Sequence, residues 1–145
     1  MITNIRHTGI TVQDLKKTMN FFIDTLGFKI KKKMNEQGPY IDNMLKLKNV
    51  KVTTAKLKAP DGNLIELLKF ENYRDKKKWS GKLYSTGLTH MAFSVKNLDK
   101  SYKKLKKKGV IFNAPPQLSP DGFAKVTFCK GPENLYIELV EELKK

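Results

Sequence analysis

The chain is poor in cysteine: Cys129 is the single thiol among 145 residues. One cysteine closes no intrachain disulfide and builds no cysteine-rich zinc site, which excludes disulfide-stapled scaffolds. Long apolar runs are also missing. Nothing approaches the ~20 residues that span a bilayer, and the opening residues Met-Ile-Thr-Asn-Ile-Arg-His contain no signal-peptide core. The expectation is a soluble cytoplasmic protein with no membrane partner. Acidic residues are few, 14 Asp and Glu against 29 Lys and Arg, for a formal charge of +15. This balance favours acidic partners such as phosphates, carboxylates, coenzyme A or nucleic acid. A nucleic-acid stripe brings arginine forks or interleaved aromatics, and no such stripe occurs, so nucleic acid is not expected. The lysines are spread along the whole chain, densest from Lys103 to Lys108. They read first as solvated faces and second as steering for an anionic small-molecule substrate.

Histidine is scarce, with only two residues, and its placement is informative. His7 lies in Ile5-Arg-His-Thr-Gly-Ile-Thr-Val12, and His90 in Leu88-Thr-His-Met-Ala-Phe-Ser-Val95. Both stretches alternate as strands do, with the imidazole on the parity of small residues, Gly9 and Thr11 or Ala92 and Ser94. A second correspondence lies near the far end of each half. Pro60-Asp-Gly-Asn-Leu-Ile-Glu-Leu67 overlies Pro132-Glu-Asn-Leu-Tyr-Ile-Glu-Leu139, and Glu66 falls on Glu138. An internally duplicated β-α-β-β-β unit follows.

The predicted elements of the first copy are a strand over 2–12, a helix capped by Asp14 and ended by Gly27, and strands over 28–32, 50–57 and 64–70. Ile41, Met44, Leu45 and Leu47 suggest a short amphipathic helix, either a surface helix on the sheet or a lid. Residues 71–87 read as a linker whose Tyr73, Trp79 and Tyr84 pack locally or line a seam. The second copy has strands over 88–95, 110–112, 123–129 and 135–140, a helix capped by Asn97, and a Pro-rich loop over 113–122. The domain reading is 1–70 and 88–145 as paired modules around that linker. The fold class is α+β, with a curved, cup-like mixed sheet and helices on its convex side.

Each module thus supplies one histidine and one glutamate from strands, on the parity opposite its most apolar side chains. Glu66 sits inside Leu-Ile-Glu-Leu-Leu with no evident lysine or arginine on its own face, and burying it unpaired would cost several kcal/mol. Two imidazoles and two carboxylates suit a divalent first-row ion, which removes that cost.

These motifs, together with Phe21-Phe22 to Leu26-Gly27-Phe28, resemble the vicinal oxygen chelate superfamily of glyoxalases, bleomycin-resistance proteins and extradiol dioxygenases. The resemblance is nearest to glyoxalase I and methylmalonyl-CoA epimerase-like members and covers nearly the whole chain. It implies that His7, Glu66, His90 and Glu138 hold one divalent ion: Ni, Zn, Co, Mn or Fe. It also implies a lyase or isomerase that acts on a small oxygen-chelating carbonyl substrate through an enediolate, with Glu138 as the better candidate base and Glu66 opposite. Module exchange in a homodimer is a further implication. Three alternatives stay open: an epimerase-like enzyme, an iron-dependent dioxygenase, and a non-catalytic drug-binding protein. The epimerase is disfavoured because Ile41 stands near that family's basic glutamate and Thr89-His90 replaces its double histidine.

Overall fold

The computed structural model describes residues 1–144 and divides them into two units, Met1–Lys78 and Trp79 onward. The first contains β1 (Thr8–Thr11), α1 (Leu15–Asn20), β2 (Lys29–Gln37), α2 (Pro39–Leu45), β3 (Lys51–Lys58) and β4 (Leu64–Phe70). The second contains β5 (His90–Ser94), α3 (Leu98–Lys107), β6 (Ile111–Phe112), β7 (Gln117–Leu118), β8 (Ala124–Lys130) and β9 (Tyr136–Glu142). Each unit has its own mixed sheet. The orders are β1-β4-β3-β2 and β5-β9-β8-β6, with β7 added to β8. The first strand of each unit runs parallel to the last, and the other pairings are antiparallel. The class is α+β, as expected from the duplicated pattern. Among the described residues no helix is long and apolar enough to cross a membrane.

Alternation along the strands sorts side chains between two faces of each sheet. In the first unit Ile10, Ala55, Leu57, Ile65 and Leu67 are buried on the face that carries α1. The Asp14 carboxylate caps that helix by accepting from the Lys17 N–H at 3.0 Å, and Leu15, Met19 and Phe22 point inward. The predicted single helix to Gly27 is in fact α1 followed by a π-helical turn over Phe21–Thr25, in which the Leu26 N–H donates to Phe21 O. The turn rotates the apolar stripe so that Phe22 packs edge-on against both Phe21 and Phe28, with centroids 5.6 and 5.3 Å away. In the second unit the Asn97 side chain caps α3 through the Lys100 N–H, and the Glu141 carboxylate accepts from the Leu98 N–H at 2.8 Å. Leu98, Leu105, Cys129, Ile137 and Leu139 form the buried side.

Three strand predictions need correction. The first strand starts at Thr8, because its ladder partner β4 begins at Leu64 and pairs first as Thr8↔Ile65. Ile5, beyond that end, is exposed. β2 runs on to Gln37, five residues past its predicted end, because β3 offers hydrogen-bonding partners along its whole length. The supposed Pro-rich loop contributes β7, pairing Gln117 with Val126.

Cys129 is fully buried, and loss of solvation pushes its thiol from 9.0 to about 11. A raised pKa in the folded state means that folding holds the proton. This contribution is complete below the unfolded value and fades as pH climbs from about 9 to about 11. The native protein at pH 8 is therefore expected to resist a disulfide reagent that labels the unfolded chain within minutes. Stability from denaturant titration should decline across that alkaline window, and decline less in Cys129→Ala. Fast labelling of the native protein at pH 8 would contradict the burial.

Candidate metal centre

The face opposite α1 carries the polar residues. In the parallel ladder Gly9 stands opposite Glu66, and His7 lies two residues earlier on the same side. Its Nε2 approaches Glu66 Oε1 to 3.8 Å. Gly9 keeps this corner open: a Cβ there would meet nothing nearer than Leu68 Cδ1 at 3.6 Å. The second unit repeats the arrangement. Ala92 stands opposite Glu138, His90 precedes it by two, and His90 Nε2 lies 3.2 Å from Glu138 Oε2. All four side chains are partly exposed, so each pair is open to solvent rather than locked in the core. The structure brings His7 to Glu66 and His90 to Glu138, one imidazole to one carboxylate within each unit.

The two corners differ around that shared plan. Lys56 is the cross-strand neighbour of Glu66, and its Nζ lies 3.7 Å from Oε2. This corrects the expectation that Glu66 has no cation on its face. At Glu138 the corresponding neighbour is Phe128, whose ring also meets the His90 imidazole edge-on at 5.2 Å. Thr89 Oγ1 lies 2.9 Å from His90 Nδ1, which steadies that ring, whereas His7 Nδ1 is buried with no hydrogen-bond partner among the described residues. Tyr136, two residues before Glu138, shares its face and stands in register with His90.

Farther along the Glu66 face, α2 packs through Ile41 onto Val50, Val52, Leu68 and Phe70. Met44 stays exposed. Of the two roles weighed for this helix, packing on the sheet is the one observed. The Asp42 carboxylate holds the following loop by accepting from the N–H groups of Asn49 and Val50 at 3.0 and 2.8 Å. Tyr73 donates its hydroxyl to Lys48 O at 2.8 Å, so this linker aromatic packs locally. Trp79 and Tyr84 are exposed.

Residues 4–139 match the family model of the Glyoxalase/Bleomycin resistance protein/Dioxygenase superfamily. The chain belongs to this superfamily. Its relatives include the protein YwkD of Bacillus subtilis, 28% identical over 144 residues, with 98% of this chain and 99% of that protein covered. A lactoylglutathione lyase of Schizosaccharomyces pombe is 28% identical over 155 residues, covering 95% of this chain but only 47% of the yeast enzyme. Among solved structures, a glyoxalase family protein from Bacillus cereus superposes with a TM-score of 0.86 at 22% identity, covering 99% and 97% of the two chains.

Members of a superfamily that includes glyoxalases invite a test of the donor set itself. Two donors held about 2.1 Å from one ion at octahedral or tetrahedral angles lie roughly 3.0–3.4 Å apart. The 3.2 Å separation of His90 and Glu138 falls in that interval, and the 3.8 Å of His7 and Glu66 is slightly wider. The latter is too long for a hydrogen bond between the two groups. Imidazole nitrogen with carboxylate oxygen suits zinc, nickel, cobalt, manganese or iron. Within either unit, among the described residues, no third His, Cys, Asp or Glu joins the pair. Each module therefore offers a two-donor corner of one imidazole and one carboxylate.

Proposed function

We propose that this glyoxalase-superfamily protein is a divalent-metal-dependent lyase or isomerase acting on a small carbonyl substrate that presents two adjacent oxygens. The observation that carries the reading is the duplicated corner: each module turns one imidazole Nε2 toward one carboxylate, on the face away from its helix. His7, Glu66, His90 and Glu138 would hold one ion, within one chain or across a homodimer. Such an ion, when bound, acts as a Lewis acid on the substrate carbonyl. The residues do the rest. Glu138 takes a proton from the carbon next to the carbonyl and returns it to the neighbouring position, which leaves the carboxylate regenerated. It is preferred over Glu66 because Lys56 holds one Glu66 oxygen, while among the described residues no lysine or arginine pairs with Glu138. The lyase named among the relatives supports this class of reaction.

The test is metal analysis after dialysis against Ni, Co, Mn, Zn or Fe(II), followed by assay. One ion per chain is expected in either assembly. Turnover of methylglyoxal hemithioacetals or methylmalonyl-CoA should appear only in loaded protein and vanish with a chelator. A chain that takes up no ion from any of these solutions, yet binds small molecules, would make it a sequestration protein instead.

A further inference from the structure

The face that holds His7 and Glu66 carries four lysines in two cross-strand rows. Lys29 stands opposite Lys58, and Lys32 opposite Lys56, which is itself opposite Glu66. Directly opposed like charges weaken a strand pair, so this arrangement is costly to the sheet on its own account. Glu66 is the one carboxylate in these two rows. The turn carboxylate of Asp61 is engaged elsewhere, accepting from Asn63 N and Nδ2 at 2.9 and 2.7 Å. Lys56 has 25% of its side chain exposed, so its stem lies along the sheet while its ammonium, 3.7 Å from Glu66, stays within reach of an anion at this corner.

The second unit lacks the feature. At a constant offset of 72 residues, Phe128 stands where Lys56 does, and Lys130 where Lys58 does. β6 sets Ile111 rather than lysine against Lys130, whose Nζ lies over the Tyr136 ring at 5.2 Å. Duplication kept the histidine and the glutamate in both copies. The lysine rows belong to one copy only, which is what recognition of an asymmetric molecule requires.

We infer that the substrate is anionic, and that Lys56 and Lys32 bind its carboxylate or phosphate beside the His7–Glu66 corner. This rests on the proposed metal site. With both carboxylates assigned to the ion, a divalent charge is balanced and the Lys56 charge is left over for the substrate. Neighbouring strands lie about 4.8 Å apart, so Lys56 is one spacing and Lys32 two spacings from Glu66. The anionic group thus sits roughly 5–10 Å from the chelating oxygens, a few bonds along a short chain.

Hydroxamates chelate through two adjacent oxygens and serve as probes for calorimetry on nickel-loaded protein. The comparison is acetohydroxamate against succinic monohydroxamate, with a carboxylate tail, and against 3-phosphonopropionyl hydroxamate. The quantity read is the ratio of tailed to untailed affinity within each protein, so that any change in metal retention divides out. One tail is expected to bind about tenfold tighter than acetohydroxamate, the gain of a charge-assisted hydrogen bond. The better tail identifies the class, carboxylate or phosphate. In Lys32→Gln/Lys56→Gln the ratio should fall to near one. Equal binding of all three probes, or a tail preference that survives the double substitution, overturns the inference while leaving the metal site standing. Failure to retain nickel and to bind even acetohydroxamate sinks the metal site, and this inference with it.

Discussion

Replacing Glu138 with glutamine is expected to cut kcat by about 10²- to 10⁴-fold, the usual worth of a positioned proton acceptor. The substitution keeps the length and shape of the side chain, and its amide oxygen still reaches toward His90. What it removes is the ability to accept a proton at neutral pH. The backbone should not respond, because Ile137 and Leu139 on either side are buried on the opposite face and hold β9 in place. Circular dichroism and melting temperature should therefore match the parent, and metal content should fall by less than activity does. Glu66→Gln is the control. Glu66 has Lys56 against one oxygen and His7 facing the other, so its loss should show chiefly in metal content. Unchanged turnover in Glu138→Gln would remove that residue from the chemistry.

The His–Glu pair of each unit was readable because two independent signals agreed. The scarce imidazoles fell at one place in a repeat, and the Ile-Glu-Leu of each half fell at another. Alternation then put each polar residue opposite the apolar ones, and the ladders confirm that Glu66 lies between buried Ile65 and Leu67. Lys56 was missed, although a signal for it exists. The turn over Pro60–Asn63 closes through Ala59 N–H to Asn63 O, so Lys58 must pair with Leu64 and, counting back two, Lys56 with Glu66. Register follows from the turn, and a pattern read one strand at a time does not contain it.

Other misses share a physical origin. β2 is an edge strand with Ile30 exposed and lysines on both faces, so no contrast of burial marks its course. It is held by hydrogen bonds to β3, which involve the backbone and leave little trace in side-chain type. The π-helical turn after α1 likewise shifts the apolar spacing by a single residue, within the tolerance of a 3.6-residue period. The fold class survived these errors because it depends on the order of elements, and the pairing of one histidine with one glutamate in each unit survived because it depends on two adjacent strands whose reverse side is apolar.

His7→Ala and His90→Ala are each expected to weaken metal affinity by about two to three orders of magnitude. The estimate divides the roughly 10–16 kcal/mol typical of a four-ligand zinc site equally among its donors. Neither imidazole is a core residue. Each is about a third exposed, so removal should leave the metal-free melting temperature nearly unchanged. The reading is a chelator competition, supported by the thermal shift that a saturating ion gives the parent and would not give the variants. Equivalence between the two variants is the informative part. The corners are not alike: Thr89 steadies His90, whereas His7 Nδ1 has no partner among the described residues. An ion held by the second corner alone would be lost in His90→Ala and kept in His7→Ala. Loss in both variants requires that the two modules share one cation, which is the condition under which duplicating a two-donor corner makes a complete site.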